Sequence, residues 1–287
     1  MGAPMARRLL AAGNNLQAWN RSAGKLQELL AAGGELCGTP AEAARGVEFL
    51  CLCLTDSIAV ESVLFGQDGA MEGLSESAVI IDFSTIGREA TLQLAVRSAE
   101  RGVSWLDCPV SGGVVGAEAG TLSIFVGGET DVLERALPLL GACAARVTHM
   151  GPIGSGQATK LCNQLIVAAN LLAIAEATHV GQALGIDVTR LPDALQGGFA
   201  DSKPLQIFGG RMASSQDPGP RFGDLWTMLK DIGAIQLEAR AAGGKVPLLE
   251  HVFTLYSEVI SGGFGSEDMP GLMHLYRDDS LHSSESS

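Results

Sequence analysis

The sequence predicts an α/β half followed by an all-α half. Short apolar runs that are typical of strands alternate with helical segments up to about residue 152. Beyond that point the strand pattern disappears and long helical patterns continue toward the C-terminus. Strands that alternate with helices favour a parallel sheet covered on both faces. The 37 glycines and the aromatic content of 5% fit such a chain better than a β-sandwich.

The individual elements follow from apolar runs and helical periodicity. Strands are predicted at 16–20, 47–54, 79–83, 103–108 and 122–126. Helices are predicted from the first residues to about 12, and at 23–32, 157–184, 188–195, 232–242 and 248–261. Gly13 and Gly185 follow two of these helices, where a glycine favours a helix end.

The change of pattern near Gly151-Pro152-Ile153-Gly154 predicts the domain organisation. Residues 1–152 are expected to form an α/β domain, and residues 153–277 an all-α domain. The polar, serine-rich residues 278–287 are expected to be a disordered tail.

A formal net charge of −13 and a pI near 4.8 narrow the classes of partner. Nucleic acids and anionic membranes need a basic face, so neither is expected as a main partner. An anionic small substrate needs only a local positive site. No apolar run approaches the roughly 20 residues of a membrane span. The N-terminus lacks a basic-then-apolar signal pattern, so a cytoplasmic location is expected.

The six cysteines are interpreted as free thiols of a reducing compartment. They lie at positions 37, 51, 53, 108, 143 and 162, and their spacing matches no zinc motif. No cluster of His, Cys, Asp and Glu has the spacing of metal ligands either, so no metal is predicted.

Lys160 and Asn163 give the strongest indication of chemistry. Residues at i and i+3 project from the same face of a helix, here among apolar neighbours. Burial lowers the pKa of a lysine, so an ammonium at the edge of such a helix is a candidate proton donor. The alternative is a surface lysine. Gly154 and Gly156 favour the first interpretation, because they let another backbone or a ligand approach the helix start.

The first predicted helix has no strand before it. A dinucleotide-binding fold opens with a strand, a glycine-rich turn and a helix whose N-terminus binds the pyrophosphate. The chain begins at what would be the last glycine of that turn, Gly2. A first strand and two glycines are therefore expected to be missing, through an incorrectly assigned start codon or a shortened chain.

The residues after the strand at 16–20 bear on the choice of cofactor. About 18 residues after Gly2, such a fold places the group that recognises the ribose 2′ position. Asn20, Arg21 and Ser22 stand there in place of an aspartate. Arginine and serine suit a 2′-phosphate, so NADP is favoured and NAD stays possible. The alternative is a surface arginine in a turn.

Four segments of the chain occur in a recognisable order. They are Gly2-Ala3-Pro4-Met5-Ala6, Asp107-Cys108-Pro109-Val110-Ser111-Gly112-Gly113, Gly154 to Asn163, and Lys230-Asp231. With them the chain resembles the β-hydroxyacid dehydrogenase family, which includes 3-hydroxyisobutyrate dehydrogenase and tartronate semialdehyde reductase. The segments match the end of the family's glycine signature, its substrate loop, its catalytic helix and its C-terminal signature. The missing front end is a departure from the family pattern.

The resemblance implies a Rossmann-like NAD(P)-binding domain and an all-α substrate and dimerisation domain. It also implies an NAD(P)-dependent oxidoreductase that interconverts a short β-hydroxy acid and its semialdehyde by hydride transfer. Lys160 would be the general acid and base. Substrate would be bound by Ser111, Gly112, Gly113, Asn163 and Lys230. Cofactor would be contacted by Gly2, Ala3, Pro4, Met5, Asn20, Arg21, Ser22, Leu54, Thr55, Ala59, Thr85 and Lys230.

Each role has a simpler structural alternative. The Ser111-Gly112-Gly113 segment could be a turn, and Asn163 could satisfy a buried polar contact. Lys230 and Asp231 could be a surface ion pair of little energetic value, and Thr85 could satisfy backbone at a strand end. The rival functions are a non-catalytic binding or scaffold module that has lost its cofactor turn, and imine reduction, which the presence of Lys160 disfavours.

The long helix at 157–184 predicts a homo-oligomer. It offers more apolar surface than one small domain would need to bury, including Ala168, Ala169, Leu171, Leu172 and Ile174. A homodimer is therefore expected, and the family resemblance implies dimers or tetramers.

Overall fold

The computed structural model describes residues 1–214 and 219–277. The predicted tail at 278–287 lies outside the described residues. The chain divides into two compact units, the first ending at Lys160 and the second beginning at Leu161. This division falls inside a continuous helix, and the predicted domain boundary at residue 152 stays a prediction.

The first unit contains the strands of both sheets. They are β1 (Gln17–Ala18), β2 (Glu35–Leu36), β3 (Phe49–Leu52), β4 (Val79–Asp82), β5 (Ser104–Asp107), β6 (Val110–Ser111), β7 (Leu122–Gly127) and β8 (Ala144–Gly151). β1 and β2 form a separate parallel pair. In the six-stranded sheet, β3, β4 and β5 are parallel neighbours. β7 runs antiparallel to β5 and β6 and parallel to β8.

Helices separate most of these strands and make up the second unit. The first unit has α1 (Gly2–Ala11), α2 (Gln27–Ala31), α3 (Pro40–Ala43), α4 (Ser57–Phe65), α5 (Arg88–Ala99), α6 (Gly113–Ala119) and α7 (Thr130–Gly141). Helix α8 (Ser155–Ala183) begins in the first unit and continues into the second. The second unit adds α9 (Leu191–Leu195), α10 (Lys203–Ala213), α11 (Leu225–Ala241) and α12 (Pro247–Val259). Short 3₁₀ helices lie at Ala23–Leu26, Ala70–Glu72, Val188–Arg190 and Met269–Tyr276, and a π-helical turn at Ile260–Phe264.

Strand β4 lies between β3 and β5 and is buried on both faces. Successive strand residues point to opposite faces. Val79 and Ile81 accordingly belong to one hydrophobic cluster, together with Met5 and Leu9 of α1. Ile80 belongs to another, whose members include residues of α4 and α5. This arrangement places helices on both faces of the sheet and leaves the carboxyl ends of its strands for polar residues.

The predicted fold class is confirmed: a Rossmann-like α/β domain precedes an all-α domain. The expectation of a purely parallel sheet is wrong, because β7 runs antiparallel to β5 and β6. Apolar alternation identifies strands but does not give their direction. The sequence also failed to predict β2, β6 and β8. β2 and β6 have two residues each, and β8 has no buried residue and therefore no continuous apolar run.

The apolar residues expected to supply spare surface on α8 are instead internal. Ala168, Leu171, Leu172 and Ile174 lie in the hydrophobic core of the second unit, and Ala169 packs against it. That part of the dimer prediction is wrong, because these positions form the core-facing stripe of the helix. The exposed apolar side chains on or just after α8 are Ile166, Val180 and Leu184.

Helix α8 is the candidate membrane span among the described residues, by length and composition alone. The expectation that no apolar segment approaches the length of a membrane span is therefore wrong. An 18-residue window of this helix has a mean hydropathy of 1.4. The buried core helix of a soluble protein meets the same criteria, so one such helix is weak evidence for a membrane protein.

Candidate active site

The carboxylate of Asp107 holds the start of helix α8. Asp107 is the last residue of β5 and is fully buried. Its Oδ1 accepts a hydrogen bond from the backbone N–H of Gly154 at 2.7 Å, and its Oδ2 accepts one from Gln157 at 2.8 Å. A helix start carries N–H groups without intrahelical partners and a partial positive charge. A distant strand therefore supplies the capping group that Gly154 itself lacks.

Two glycines allow this helix start to lie directly on the strands. A Cβ added at Gly156 would come within 2.5 Å of the carbonyl oxygens of Asp107 and Phe125. Gly154 has a φ of +90°, which side-chain-bearing residues rarely adopt. The sequence left open whether a backbone or a ligand approaches these glycines. At Gly156 the approaching group is the backbone of β5 and β7.

Gln157 extends the anchor to the end of β4. Its side-chain Nε2 donates to the carbonyl oxygen of Ser84 at 2.7 Å, and its Oε1 accepts from the backbone N–H of Ile86 at 3.3 Å. The hydroxyl oxygen of Ser84 accepts the N–H of Leu54 at 2.9 Å. Hydrogen bonds thus connect the carboxyl ends of β3, β4 and β5 to α8. Lys160, half-buried, lies on this helix within one turn of Gln157.

A second buried carboxylate lies beside Asp107. Asp82 is its register partner on β4, and both are fully buried. Burial raises the pKa of Asp82 to about 7, although hydrogen bonds from Ser84 oppose the rise. Burial also raises the pKa of Asp107, against the effect of the N–H groups of α8. Oδ2 of Asp82 is buried without a hydrogen-bond partner, so Asp82 is the member of the pair better suited to hold a proton.

The predicted substrate loop forms a strand end followed directly by a helix start. Ser111 ends β6 and pairs with Ser123 of β7. Gly112 and Gly113 follow with φ values of +132° and +65°, both in the region that favours glycine. Gly112 is the N-cap of α6 and provides no side-chain cap. The segment Ser111-Gly112-Gly113 therefore joins a strand directly to a helix. Gly112 supplies no side-chain cap to the first N–H groups of α6.

The predicted cofactor residues lie at the start of α1 and after the carboxyl ends of β1, β3 and β4. Arg21 and Ser22 are exposed, and the side chain of Asn20 donates to the carbonyl oxygen of Ser22.

At the start of α1, a Cβ on Gly2 would lie 3.4 Å from Cβ of Cys53, the residue after β3. Ala3 is half-buried, and Pro4 and Met5 are buried in α1, so only their backbone suits a ligand. Leu54 and Thr85 are half-buried and Thr55 is exposed.

Ala59 is the predicted cofactor residue with the least to offer. Its backbone N–H donates to Oδ1 of Asp56, the N-cap of α4, at 2.8 Å. That donor is already satisfied, and a methyl side chain adds no polar group. Asp56 was not predicted from the sequence, although aspartate before a helix is a frequent capping signal.

The second unit contains a separate series of hydrogen-bonded polar side chains. Nδ2 of Asn163 donates to Oε1 of Gln164 at 3.0 Å, and Nε2 of Gln164 donates to Oδ2 of Asp231 at 2.7 Å. Nζ of Lys230 lies 3.8 Å from Oδ1 of the same aspartate. The side chain of Asp231 is 10% exposed and that of Lys230 is 58% exposed. These contacts therefore connect two predicted site residues, Asn163 and Lys230. They do so through Gln164 and Asp231, to which the sequence interpretation assigned no role.

Two family models together match nearly the whole chain. Residues 1–151 match the family model described as the NAD-binding domain of 6-phosphogluconate dehydrogenase. Residues 154–276 match the model for the NAD-binding of NADP-dependent 3-hydroxyisobutyrate dehydrogenase. The 2-hydroxy-3-oxopropionate reductase of Escherichia coli K12 is 38% identical over 213 residues, which are 74% of this chain and 72% of that protein.

The chain belongs to the β-hydroxyacid dehydrogenase family.

Two further family relatives cover nearly the whole chain. The NAD-dependent L-serine dehydrogenase of Pseudomonas aeruginosa PAO1 is 30% identical over 281 residues, covering 96% of this chain and 94% of that protein. A structure of Mycobacterium tuberculosis 3-hydroxyisobutyrate dehydrogenase with L-serine has a TM-score of 0.86 and 28% identity, and covers 96% of both chains. This β-hydroxyacid dehydrogenase is therefore an NAD(P)-dependent oxidoreductase, with NADP as the expected cofactor and NAD possible. No comparison supports a non-catalytic scaffold.

Several residues of the dehydrogenase site were not assigned a role from sequence. Asp107 and Asp231 stand inside matched motifs, yet nothing in the sequence indicates which backbone or side chain each contacts. Ser84 directly precedes Thr85, and Gln157 stands inside the matched segment from Gly154 to Asn163. A polar residue at the end of an apolar strand is the one signal that could have identified Ser84 and Asp107.

The raised pKa of Asp82 predicts a pH-dependent stability. In the unfolded chain the carboxyl ionises near 3.8, but in the folded chain near 7. The folded state therefore binds the proton more tightly, and stability falls as pH rises between these values. Full ionisation of the buried group costs about 4 kcal/mol. D82N removes this term, so its stability relative to wild type should increase from about pH 5 to about pH 8.5.

Urea unfolding midpoints at the two pH values measure this difference. D131N, at an exposed carboxylate in α7, is the matched control and should track wild type at both. A D82N effect of the same size at both pH values would contradict the assignment of a raised pKa.

Proposed function

We propose that this dehydrogenase interconverts a short β-hydroxy acid and its semialdehyde, with Lys160 as the general acid and base. The supporting observation is the anchored start of α8: Asp107 and Gln157 hold the helix turn that precedes Lys160. 3-Hydroxyisobutyrate, tartronate semialdehyde, threonate and 4-hydroxybutyrate are the candidate substrates or products. The names of relatives, 3-hydroxyisobutyrate dehydrogenase, 2-hydroxy-3-oxopropionate reductase and L-serine dehydrogenase, support small hydroxy acids as the class.

The residues present fit a nicotinamide dinucleotide. Helix α1 starts at Gly2, where no side chain blocks the backbone, and Arg21 and Ser22 are exposed after β1. A helix start suits the pyrophosphate, and an arginine suits the 2′-phosphate of NADP. Leu54, Thr55 and Thr85 would contact the rest of the cofactor at the ends of β3 and β4. When bound, the cofactor supplies or accepts the hydride.

The substrate carboxylate would be held by Ser111 and by backbone N–H groups of Gly112 and Gly113. Both glycines have positive φ values, and their lack of Cβ atoms leaves room for an anion beside the backbone. Asn163 would hydrogen-bond to the substrate and fix its orientation. Lys230, more than half exposed, would contact cofactor and substrate.

Lys160 would handle the proton of the reacting oxygen. In reduction its ammonium donates a proton to the carbonyl oxygen as that oxygen gains negative charge. In oxidation the neutral amine removes the hydroxyl proton. Because Gln157, less than one turn earlier, is held by Asp107 and Ser84, the backbone that carries Lys160 has little freedom to shift.

The proposed cellular setting is a cytoplasmic protein without nucleic acid or membrane partners. The net charge of −13 disfavours polyanionic surfaces, which attract basic proteins. The core residues of α8 support a helix packed in protein rather than lipid.

K160A should lower kcat at least about a hundredfold, because positioned acid–base groups contribute on that scale. Its affinity for NADPH, measured by fluorescence titration, should stay close to that of wild type. Steady-state assays on the hydroxy acids named above, with NADP and NAD, would be compared for both proteins. K245A, which alters an exposed lysine outside the proposed site, is the control. A K160A enzyme that retains most activity would reject the assignment.

A homodimer or homotetramer is also proposed, through the exposed side chains of Ile166, Val180 and Leu184. Positions 166, 180 and 184 are about four turns and one turn apart, so they follow one face of the helix, and an exposed apolar stripe favours a protein interface. Light scattering after size exclusion should therefore give a mass of twice or four times 29.7 kDa. I166E should lower this mass, whereas Q182E, at an exposed polar position of the same helix, should not. A wild-type mass near that of a single chain would contradict the proposal.

A further inference from the structure

The hydrogen bonds that join Asn163, Gln164 and Asp231 in the second unit all donate toward Asp231. Asp231 is buried on α11, and its carboxylate can accept hydrogen bonds but has no hydrogen to donate. Gln164 must therefore turn its Nε2 toward Asp231, and the distance of 2.7 Å fits that hydrogen bond. Oε1 of Gln164 is then the atom that meets Asn163, and it can only accept.

The same logic sets the orientation of Asn163. Its side chain must present Nδ2 to Gln164, as the distance of 3.0 Å shows. Because Nδ2 donates to Gln164, the carbonyl oxygen Oδ1 is the atom of the same amide that can accept a hydrogen bond from a ligand. An asparagine held in this way offers an acceptor, which complements a ligand that carries a hydroxyl hydrogen.

We propose that Asp231, acting through Gln164, orients the amide of Asn163 to accept a hydrogen bond from the hydroxyl group of the substrate. This inference rests on the proposed function, in which Asn163 contacts the hydroxy acid. Asp231 is then a positioning residue that makes the site prefer a hydroxylated acid over the same acid without the hydroxyl. A site built to bond a hydroxyl discriminates against analogues that lack it.

Asp231 also lies near Lys230, and this second contact must be separated from the first. The lysine is 3.8 Å from the carboxylate and more than half exposed, so their interaction is weak. An effect that passes through Gln164 should vanish when Gln164 is already removed. An effect that passes through Lys230 should persist.

The decisive variant is D231N, which keeps the shape of the side chain. Because an amide can donate or accept, position 231 then no longer determines which end of the Gln164 amide faces it. We expect kcat/KM for the best hydroxy acid of the panel to fall about tenfold. The inhibition constant of the corresponding acid without the hydroxyl should change less than about twofold. A general structural defect would weaken both ligands alike.

A double-mutant cycle tests the route through Gln164. Q164L alone should cost about as much as D231N, and the double variant little more than either. D224N alters the half-buried N-cap of the same helix α11 and should leave the discrimination unchanged. Thermal melting checks that each variant is folded. If Q164L does not fold, the comparison of the two ligands in D231N decides alone.

Two results would overturn the inference by itself. One is a D231N enzyme in which kcat/KM for the hydroxy acid and the affinity for the acid without the hydroxyl fall equally, or in which neither changes. This result counts only if the wild type is active and the K160A variant is not. The other is a double variant whose loss equals the product of the single losses. A wild type inactive on every hydroxy acid would instead reject the proposed function, and the inference with it.

Discussion

The buried carboxylate of Asp107 is the contact on which the candidate site depends. An ionised group without water is costly unless hydrogen bonds replace the lost solvation. Here two N–H groups at the start of α8 replace it, and those N–H groups would themselves be unsatisfied without the carboxylate. The strand end and the helix start therefore need each other. The turn that carries Lys160 is placed by this mutual requirement.

The glycines and Gln157 make the contact possible and specific. Gly156 lets the helix rest on β5 and β7 where any Cβ would collide with carbonyl oxygens. Gln157 then adds side-chain hydrogen bonds to Ser84 and Ile86, which fix the rotation of the helix about its axis. Small residues provide the close approach, and polar residues provide the direction.

The second unit uses the same physical rule on side chains. Asp231 can only accept, and so it determines which end of Gln164 faces it. Through Gln164 it also determines which end of Asn163 faces Gln164. Buried carboxylates in both units thus orient groups that belong to the proposed chemistry, one a helix and the other an amide. Neither Asp107 nor Asp231 needs to touch the substrate to influence the reaction.

Local apolar patterns and short motifs encode the succession of an α/β half and an all-α half, the family and the candidate chemistry, so these could be predicted from the amino-acid sequence. Val79 to Asp82 is an apolar run ended by an acid, and a buried strand follows from that pattern alone. The folded structure was needed to show that β7 runs antiparallel to β5, that Asp107 caps α8, and that Gln164 joins Asn163 to Asp231. Each of these contacts joins residues far apart in the chain, and local periodicity carries no information on which distant partner a polar group finds. The apolar positions of α8 show the same limit, since a stripe of alanine and leucine suits a core and an interface equally until the packing is known.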